Sequence, residues 1–313
     1  MAGARRYWWI WIGAVPVALW ALLRLLAIDG GFPLATLMPF TPYAALAALF
    51  VAAVALALEN WAASVVAGVA CALLSALVLP RAIGDGTVDA DGHRTITVLA
   101  ANVHRGTADP DALLALAART DADVLSVEEL TPRFAAELRA AGIAERMPFH
   151  VLEMAEHSSG AGLYSRRPLS PLPGPGRFQF RMPRARLSLA GGGAIRLVVA
   201  HPFPPQPGHV GVWEESLRSL PSAGFGPPWL LLGDFNATLD QSQFRDLVDR
   251  GYADAGEVAG LGLEPTFPQE GHLIPPITID HVLADRRLGI VSYAVEGLPG
   301  SDHRAVLATV TLP

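Results

Sequence analysis

The sequence predicts a chain in two parts, a group of membrane-spanning helices followed by an α/β domain in which β-sheets pack together beneath covering helices. Three long runs almost free of charge occupy the first eighty residues, whereas the remainder alternates short apolar strands with turns and a few amphipathic helices. Many strands with helices interspersed are typical of packed sheets that helices cover. About 220 residues follow the first part, enough for one sizeable domain or two tightly associated halves.

The three apolar runs cover residues 8–28, 34–58 and 61–80, and Arg24 is the only charged residue within them. A membrane-spanning helix needs roughly 20 predominantly apolar residues, and each run meets that requirement. The alternative is a buried helical core, but three such runs in succession leave no polar surface for water. We therefore expect three transmembrane helices within residues 1–80, with the lipid bilayer as their partner.

The basic residues near the N-terminus predict an orientation in the membrane. Arg5 and Arg6 precede the first run, as they would in a cleaved signal peptide, but the run is long and no clear cleavage site follows it. Basic residues favour the cytoplasmic side, so three crossings would place the second part outside the cytoplasm, in a multi-pass protein of the cell membrane. Arg24 and Arg81 fall on the predicted outer side and count against this orientation.

Composition narrows the chemistry of the second part. The one cysteine, Cys71, lies in an apolar run, which excludes an intrachain disulfide framework and a thiolate metal site. Residues 81–94 are polar and contain scattered Gly and Asp, so they are predicted to be a linker that precedes a domain at 95–313. Beyond the first eighty residues the chain has 27 acidic residues and 20 arginines, a net charge of −7. Such a domain binds nucleic acid poorly unless it concentrates its arginines or carries cations.

Strand, helix, strand and helix open the second part. Strands are predicted at residues 95–103 and 122–130, where apolar and β-branched residues are dense. A helix follows each strand, because a capping residue precedes a proline and then apolar residues at helical spacing. The caps and first helical residues are Asp109 with Pro110 and Thr131 with Pro132.

Strands dominate the rest of the chain. The glycines at 191–193 are predicted to join two of them as a hairpin. Helices are expected only around VWEESLRSL and QSQFRDLVDRG. The predicted strands lie within GAGLYSRRPL, RARLSLAGGGAIRLVVAHPF, PWLLLGDFN, ITIDHVLAD and DHRAVLATVTL.

Polar side chains stand at the ends of these strands. Strands of one core tend to end at a common rim, so we expect their polar ends to converge there. Crowded carboxylates repel one another and their pKa values rise, a cost that a bound divalent cation removes. Oxygen-rich ligands without cysteine suit Mg²⁺ or Mn²⁺, and Ca²⁺ less well. The strand-end residues are Asn102, Glu129, His201, Asp234, Asn236, Asp280, His281, Asp302 and His303.

Seven motifs, in order and at similar spacing, resemble the endonuclease/exonuclease/phosphatase superfamily, which has the fold of DNase I. The motifs are ANV, SVEEL, AGLYSRRPL, HPFPP, GDFNAT, IDHVLA and SDHRAV. The resemblance covers residues 95–313 and is closest to bacterial membrane-anchored members. It implies a four-layer αββα sandwich, with two mainly antiparallel sheets between layers of helices. It also implies metal-dependent hydrolysis of phosphoesters.

The resemblance carries metal and water roles to individual residues. Asn102 and Glu129 would hold the metal, and Asp302 would lie beside it. Asp234 would orient or deprotonate the attacking water, and Asn236 would bind a phosphate oxygen. Alternation around Phe235 places the last two side chains on the same side of the chain.

Two histidines receive roles from the same resemblance. His303 would contact the phosphate and stabilise the charge of the transition state, and Asp280 would fix its tautomer. His201 matches the histidine that helps the leaving group depart in nuclease members. A metal would neutralise the phosphate and polarise the phosphoryl group.

The sequence departs from the family pattern at two points. The family usually has Gln-Glu where this chain has Glu128 and Glu129, so either residue is a candidate ligand, and Glu128 would add a charge near the metal. Many nuclease members have a tyrosine where this chain has Ser158, beside His157. That change weakens the interpretation as an abasic-site endonuclease.

The segment 177–186 contains the densest group of arginines in the acidic domain. One interpretation is a solvated hairpin with Phe178 and Phe180 in the core. The other is a grip on substrate phosphates. The arginines proposed for that grip are Arg177, Arg181 and Arg184.

Three functions are compatible with these observations. The first, which is the leading prediction, is a membrane-tethered nuclease that hydrolyses phosphodiester bonds with a divalent metal, and His201 and the basic segment favour it. The second is a phosphoesterase of phospholipids, similar to a sphingomyelinase, or of small molecules, which the membrane anchor and the acidic balance favour. The third is a binding module without catalysis, against which the complete set of candidate catalytic residues speaks. No protein partner is inferred.

Overall fold

The computed structural model describes residues 7–174, 176, 180–269 and 273–312. A bundle of helices forms the N-terminal part, and two six-stranded sheets form the rest. The helices of the bundle are α1 (Trp11–Leu25), the short α2 (Leu34–Leu37), α3 (Thr41–Ala57) and α4 (Trp61–Val78).

The bundle packs through small side chains. Helix α4 buries Ala63, Ala67 and Ala70 along one stripe, so the helix backbones approach closely. Large apolar side chains such as Phe50 and Trp61 point away from the bundle. With the adjoining turns, three helical stretches are long and apolar enough to cross a membrane, as predicted: Trp8–Leu25, Leu34–Ala57 and Trp61–Ala82.

The second part contains short helices between its strands. These helices are α5 (Pro110–Arg119), α6 (Pro132–Ala140), α7 (Ile143–Arg146), α8 (Val210–Ser219), α9 (Ser242–Val248) and α10 (Ala255–Val258). The strands are β1 (Thr95–Asn102), β2 (Val124–Glu128), β3 (Phe149–Glu153), β4 (Ala161–Ser165), β5 (Leu169–Leu172), β6 (Arg184–Ser188), β7 (Ala194–Val199), β8 (Trp229–Asp234), β9 (Tyr252–Asp254), β10 (Asp280–Asp285), β11 (Ile290–Glu296) and β12 (Ala305–Thr311).

The strands form two mixed sheets packed face to face. One has the order β11-β12-β1-β2-β4-β3 and the other β5-β6-β7-β8-β10-β9. Pairing is antiparallel except between β1 and β2 and between β7 and β8. One apolar core, including Val98, Leu197 and Val282, lies between the sheets. Helices α5 and α6 cover the first sheet, and α8 and α9 cover the second, which gives the four-layer sandwich expected from the sequence.

The local signals in the sequence act as predicted. The Asp109 side chain accepts hydrogen bonds from the first amides of α5, and Thr131 accepts one from the amide of Phe134 in α6. These caps satisfy amides that have no partner within the helix. The glycines at 191–193 connect β6 to β7, and the Leu189 amide donates to the Gly193 carbonyl.

Four strands were not predicted, and all four lie at a sheet edge. Strands β3 and β11 are the two outer strands of the first sheet, and β5 and β9 are the two outer strands of the second. An edge strand has a neighbour on one side only and exposes more of its surface. Its sequence therefore lacks the dense apolar pattern by which the central strands were found.

The segment 81–94, predicted to be a linker, packs against the sandwich over its first half. Arg81 is buried. The Gly86 amide donates to the Val258 carbonyl, and the Val88 amide donates to the Ile290 carbonyl. The end of the bundle is therefore held on the second part of the chain.

Candidate active site

Five strands direct one polar side chain each into the same end of the space between the sheets. In β1, Ile96, Val98 and Ala100 face the core between the sheets, and Asn102 continues that alternation. In the other strands, too, every second residue faces this core, and the series ends at a buried polar residue. These are Glu128 at the end of β2, His201 after β7, Asp234 at the end of β8 and Asp280 at the start of β10.

Asp234 lies at the centre of this cluster. Its Oδ2 accepts a hydrogen bond from Asn102 Nδ2 at 3.2 Å and lies 3.8 Å from Nε2 of both His201 and His303. Its Oδ1 accepts one from the amide of Asn236 at 2.8 Å. Burial raises the pKa of Asp234, and the charge of His303 opposes that rise. A carboxylate with a raised pKa is a better proton acceptor at neutral pH.

Asp280 holds His303 by one ring nitrogen. His303 Nδ1 lies 3.1 and 3.0 Å from the two carboxylate oxygens, which leaves Nε2 directed towards Asp234. Burial disfavours the imidazolium, but the charges of Asp280 and Asp234 outweigh it and raise the pKa of His303 to about 10. The ring also packs on Phe267 with centroids 4.7 Å apart. His303 is therefore a fixed cation that can donate to an anion.

His201 is the neutral counterpart of His303. Burial, with the nearby charge of His303, lowers the pKa of His201 to about 3. Its ring packs on Phe180 with centroids 4.6 Å apart. Its Nδ1 is buried and has no hydrogen-bond partner among the described residues.

Glu128 is fully buried and contributes to the electrostatics of the cluster. Its Oε1 accepts a hydrogen bond from Ser126 at 2.6 Å, and full burial raises its pKa well above the ordinary value. This shift favours the neutral acid, whose shape is close to that of the glutamine that the family resemblance places at this position. Gly233 makes room for it, because a Cβ there would come within 2.6 Å of Glu128 Oε1.

The three residues predicted to hold a metal surround this cluster. Glu129 is half-buried, and its Oε2 accepts from the Arg105 amide at 2.7 Å. Asp302 Oδ1 is buried without a hydrogen bond in the described chain, 4.0 Å from His303 Nε2. Asn102 Oδ1 accepts from the His104 amide at 2.9 Å while its nitrogen bonds Asp234.

The donor set fits a divalent cation. Asp234, Asp280 and His303 offer ligand atoms that all lie within 4.8 Å of one another. Asp302 Oδ1, which is buried and has no hydrogen bond in the described chain, adds a carboxylate oxygen 4.0 Å from His303 Nε2. Unpartnered buried carboxylate oxygen is what a hard cation requires.

Within the described residues, at least one arginine of the predicted grip is turned away from the site. The guanidinium of Arg184 lies on the outer face of the second sheet and donates to the Ser219 carbonyl at 2.9 Å, so this assignment is corrected. Arg181 is exposed, and its amide donates to the Ser159 carbonyl. Arg177 lies outside the described residues. Phe180, which belongs to the same segment, packs on the ring of His201.

Sequence reasoning missed the turn that follows β1. His104 and Arg105 both have positive φ angles, of 45° and 56°, which residues other than glycine seldom adopt. His104 Nδ1 lies 3.5 Å from Asp302, and the Arg105 amide bonds Glu129. The available signal was a tight polar turn directly after Asn102.

A family comparison identifies the chain. Residues 99–303 match the family described as Endonuclease/Exonuclease/phosphatase family. The chain belongs to this family. It is accordingly a metal-dependent hydrolase of phosphoester bonds. A search of curated proteins finds no match.

Solved structures share the fold at low identity. D. rerio TDP2 complexed with single-strand DNA product is 15% identical, has a TM-score of 0.57, and is matched over 70% of this chain and 99% of its own. An AP endonuclease from Archaeoglobus fulgidus is 14% identical with a TM-score of 0.55, over 68% and 98%. An endonuclease/exonuclease/phosphatase from Beutenbergia cavernae is 20% identical with a TM-score of 0.53, over 70% and 72%.

Proposed function

We propose that this family member is a membrane-anchored phosphodiesterase that depends on Mg²⁺ or Mn²⁺ and acts at the membrane surface. The observation that carries the proposal is the buried Asp234 carboxylate, 3.8 Å from a protonated and from a neutral imidazole. A base, an anion-binding cation and a second proton carrier at one point are the groups that phosphodiester hydrolysis needs.

Each side chain has a proposed task in this reaction. Asp234 accepts the proton of the attacking water, and Asn102 fixes the orientation of its carboxylate. His303, oriented by Asp280, donates to the oxygen on which negative charge builds. Asn236 binds a phosphate oxygen beside it, and its side chain is steadied by the Pro202 carbonyl at 3.1 Å. His201 assists the departing oxygen.

The metal is proposed to be held by Glu129, Asp302 and Asn102. When bound, it would neutralise the phosphate and polarise the phosphoryl group. Glu129 and Asp302 bring charge to this position, whereas Glu128 beneath it is neutral. The metal-binding carboxylate of the pair is thus proposed to be Glu129.

Phospholipid phosphodiesters are the substrate class that the geometry supports best. The loop after Asn236 hydrogen-bonds the end of the helical bundle, so the site would lie close to the bilayer. Exposed Leu273 and Ile274 precede Pro276, whose carbonyl accepts from Tyr43 in the first turn of α3. The net charge of the domain and the engagement of Arg184 speak against a nucleic-acid groove.

A nuclease is the second candidate. His201 favours it, because the family resemblance assigns that position to the leaving group in nucleases. The exposed Arg181 at the edge of the site would contact a nucleic-acid backbone.

The three helices are proposed to cross the cell membrane with the enzyme domain outside the cytoplasm. Arg5 and Arg6, on which this orientation rests, lie outside the described residues. Arg24 and Arg81 no longer count against it as free charges, because both are paired with Asp240. A reporter fused after the last residue should be active outside the cytoplasm, and activity only inside would overturn the orientation.

The substrate can be decided with the full chain in lipid nanodiscs. Phospholipid vesicles, plasmid DNA and RNA would be offered with Mg²⁺ or Mn²⁺ and with EDTA. We expect headgroup release that EDTA abolishes and that Asp234→Asn removes, while Asp111→Asn, the same change at an exposed position of α5, retains it. Nucleic-acid cleavage with lipids untouched would establish the second candidate. Inertness towards all substrates would refute the proposed phosphodiesterase.

A further inference from the structure

The loop that follows strand β8, which carries Asp234, is hydrogen-bonded to the transmembrane region. This loop, residues 237–242, begins directly after Asn236, and we name it the docking loop. Each of its last four residues receives or donates a hydrogen bond across the boundary. The bonds are Arg24 Nη2 to the Leu239 carbonyl at 3.1 Å, Arg81 Nη2 to Asp240 Oδ1 at 2.8 Å, Gln241 Nε2 to the Ala35 carbonyl at 2.7 Å, and the Ser242 amide to Asp29 Oδ2 at 2.6 Å.

Arg24 and Arg81 are unusual residues for apolar helices. Both are almost fully buried, and both belong to helical stretches long enough to cross a membrane. Charged side chains in such stretches are costly and are directed at a partner. Their partner is Asp240, only 1% exposed, which lies 2.8 Å from Arg81 and 3.6 Å from Arg24 Nε.

The first residues of the docking loop, Ala237 and Thr238, connect Asp240 to Asn236 and are themselves fixed in place. Ala237 and Thr238 are buried, and the Ala237 carbonyl bonds His281 Nε2 at 3.0 Å. The Thr238 amide donates to Gln241 Oε1 at 2.8 Å. Each of the three residues between Asn236 and Asp240 is therefore buried and hydrogen-bonded to its surroundings.

Asn236 has a backbone conformation that is uncommon for a residue with a side chain. Its φ angle is +48°, in the left-handed region, which asparagine adopts more readily than most residues other than glycine. Strained backbone persists when the structure on both sides of it is fixed. On one side Asp234 accepts the Asn236 amide, and on the other stands the docking loop.

We infer that Arg24 and Arg81 are positioning residues of the active site. By holding Asp240 they fix the docking loop, and through it they hold Asn236 beside Asp234. The transmembrane region is thus a working part of the enzyme and more than its anchor. The kinetic test of this inference rests on the proposed phosphodiester hydrolysis, whereas its test by hydrogen exchange does not.

The test compares two variants of the full chain in nanodiscs. Arg81→Gln breaks the hold on the docking loop, and Tyr43→Phe removes a bond between the same two parts of the chain that lies elsewhere. With bis-p-nitrophenyl phosphate and Mn²⁺, we expect Arg81→Gln to lower kcat about tenfold or more with KM nearly unchanged, because small displacements of catalytic groups are costly. Arg81→Lys should recover most of the rate, and Tyr43→Phe should match the parent.

Hydrogen exchange gives a second readout. Amides of residues 235–242 should exchange faster in Arg81→Gln than in Tyr43→Phe. Equal kcat and equal exchange in the two variants would overturn the inference. If Arg81→Gln does not fold, Arg24→Gln, which loses the bond to the Leu239 carbonyl and the contact with Asp240, replaces it with the same expected results. A parent protein without hydrolysis would refute the proposed function, and the exchange data would still decide the role of Arg81.

Discussion

Strand β10 contributes to an Asp–His pair on each of its faces. The two pairs differ in whether the histidine keeps a ring nitrogen free of hydrogen bonds within the fold. On the inner face Asp280 binds His303 through one ring nitrogen, and the other nitrogen is directed towards Asp234. On the outer face His281 uses both nitrogens, bonding Asp254 at 2.6 Å and the Ala237 carbonyl at 3.0 Å. Both histidines are buried, and acidic partners raise the pKa of both against the effect of burial.

The comparison separates a reactive pair from a structural one. Burial, a carboxylate partner and a raised pKa are common to both, so none of them identifies a catalytic histidine. A ring nitrogen that remains free and faces other reactive groups is what distinguishes His303. His281 instead ties β9 to the docking loop, and Phe235 and Phe244 pack around it.

The largest expected effect is the loss of activity on the inner face. Asp234→Asn and His303→Gln should each lower kcat about a thousandfold, because each removes a proton acceptor or a donor to the developing charge. Asp234→Asn should leave the melting temperature unchanged or higher, since it removes a buried charge. Rates with a soluble phosphodiester and thermal melting in nanodiscs measure both quantities. Near-parental activity in either variant would contradict the assignment of the inner pair.

The outer face should respond in the opposite way. His281→Phe leaves Asp254 buried without its partner, and loss of one member of such a pair costs about 3 kcal/mol of unfolding free energy. The rate of the folded fraction should fall far less than in His303→Gln. Denaturant unfolding of the detergent-solubilised chain, with kinetics on the same samples, tests this difference. A thousandfold loss of kcat with unchanged stability would reverse the roles of the two pairs.

The pH dependence of stability sharpens the comparison. The pKa of His303 is about 10 in the folded protein and 6.5 ordinarily, so the folded state binds the proton more tightly. The resulting stabilisation is complete below pH 6.5 and is lost as pH rises through 10. For the metal-free protein this loss amounts to about 2 kcal/mol between pH 7 and pH 9. His303→Gln should flatten that part of the curve, and an unchanged slope would show that the proton is bound elsewhere.

The smallest expected effect concerns the two adjacent glutamates. Glu128→Gln replaces a neutral acid by a neutral amide of the same shape, so kcat should change less than about twofold. Glu129→Gln should weaken activation by Mn²⁺ strongly, because it removes a charged donor. A titration of activity against Mn²⁺ for both variants separates them. Equal losses would mean that Glu128 is charged in the working enzyme.

The positions of polar residues at strand ends were enough to predict that several of them converge. Asn102, Asp234, Asp280 and His303 do lie together, and the order of the motifs indicated the family fold. The edge strands were missed because exposed strands carry a weak apolar pattern. The rise in the pKa of Glu128 was missed because it comes from full burial, which is a three-dimensional property.

Contacts between distant parts of the chain were beyond reach of the sequence. Arg81 and Asp240 are 159 positions apart, and neither pattern nor spacing connects them. Arg184 looked like part of a basic grip because its neighbours in sequence are basic. Its position in β6 places the side chain on the outer face of the sheet, where it donates a hydrogen bond to the Ser219 carbonyl.

The buried contact between Asp240 and the two arginines has a practical consequence for any attempt to study a water-soluble fragment. Cutting the chain before residue 95 would remove both guanidiniums and leave the Asp240 carboxylate next to a newly bared apolar surface. The truncated protein would keep all the catalytic side chains, but the backbone next to them would lack its contacts with Arg24 and Arg81. If such a fragment were inactive, the cause would be the loss of the helices. Activity is therefore best measured with the intact chain in a bilayer mimic.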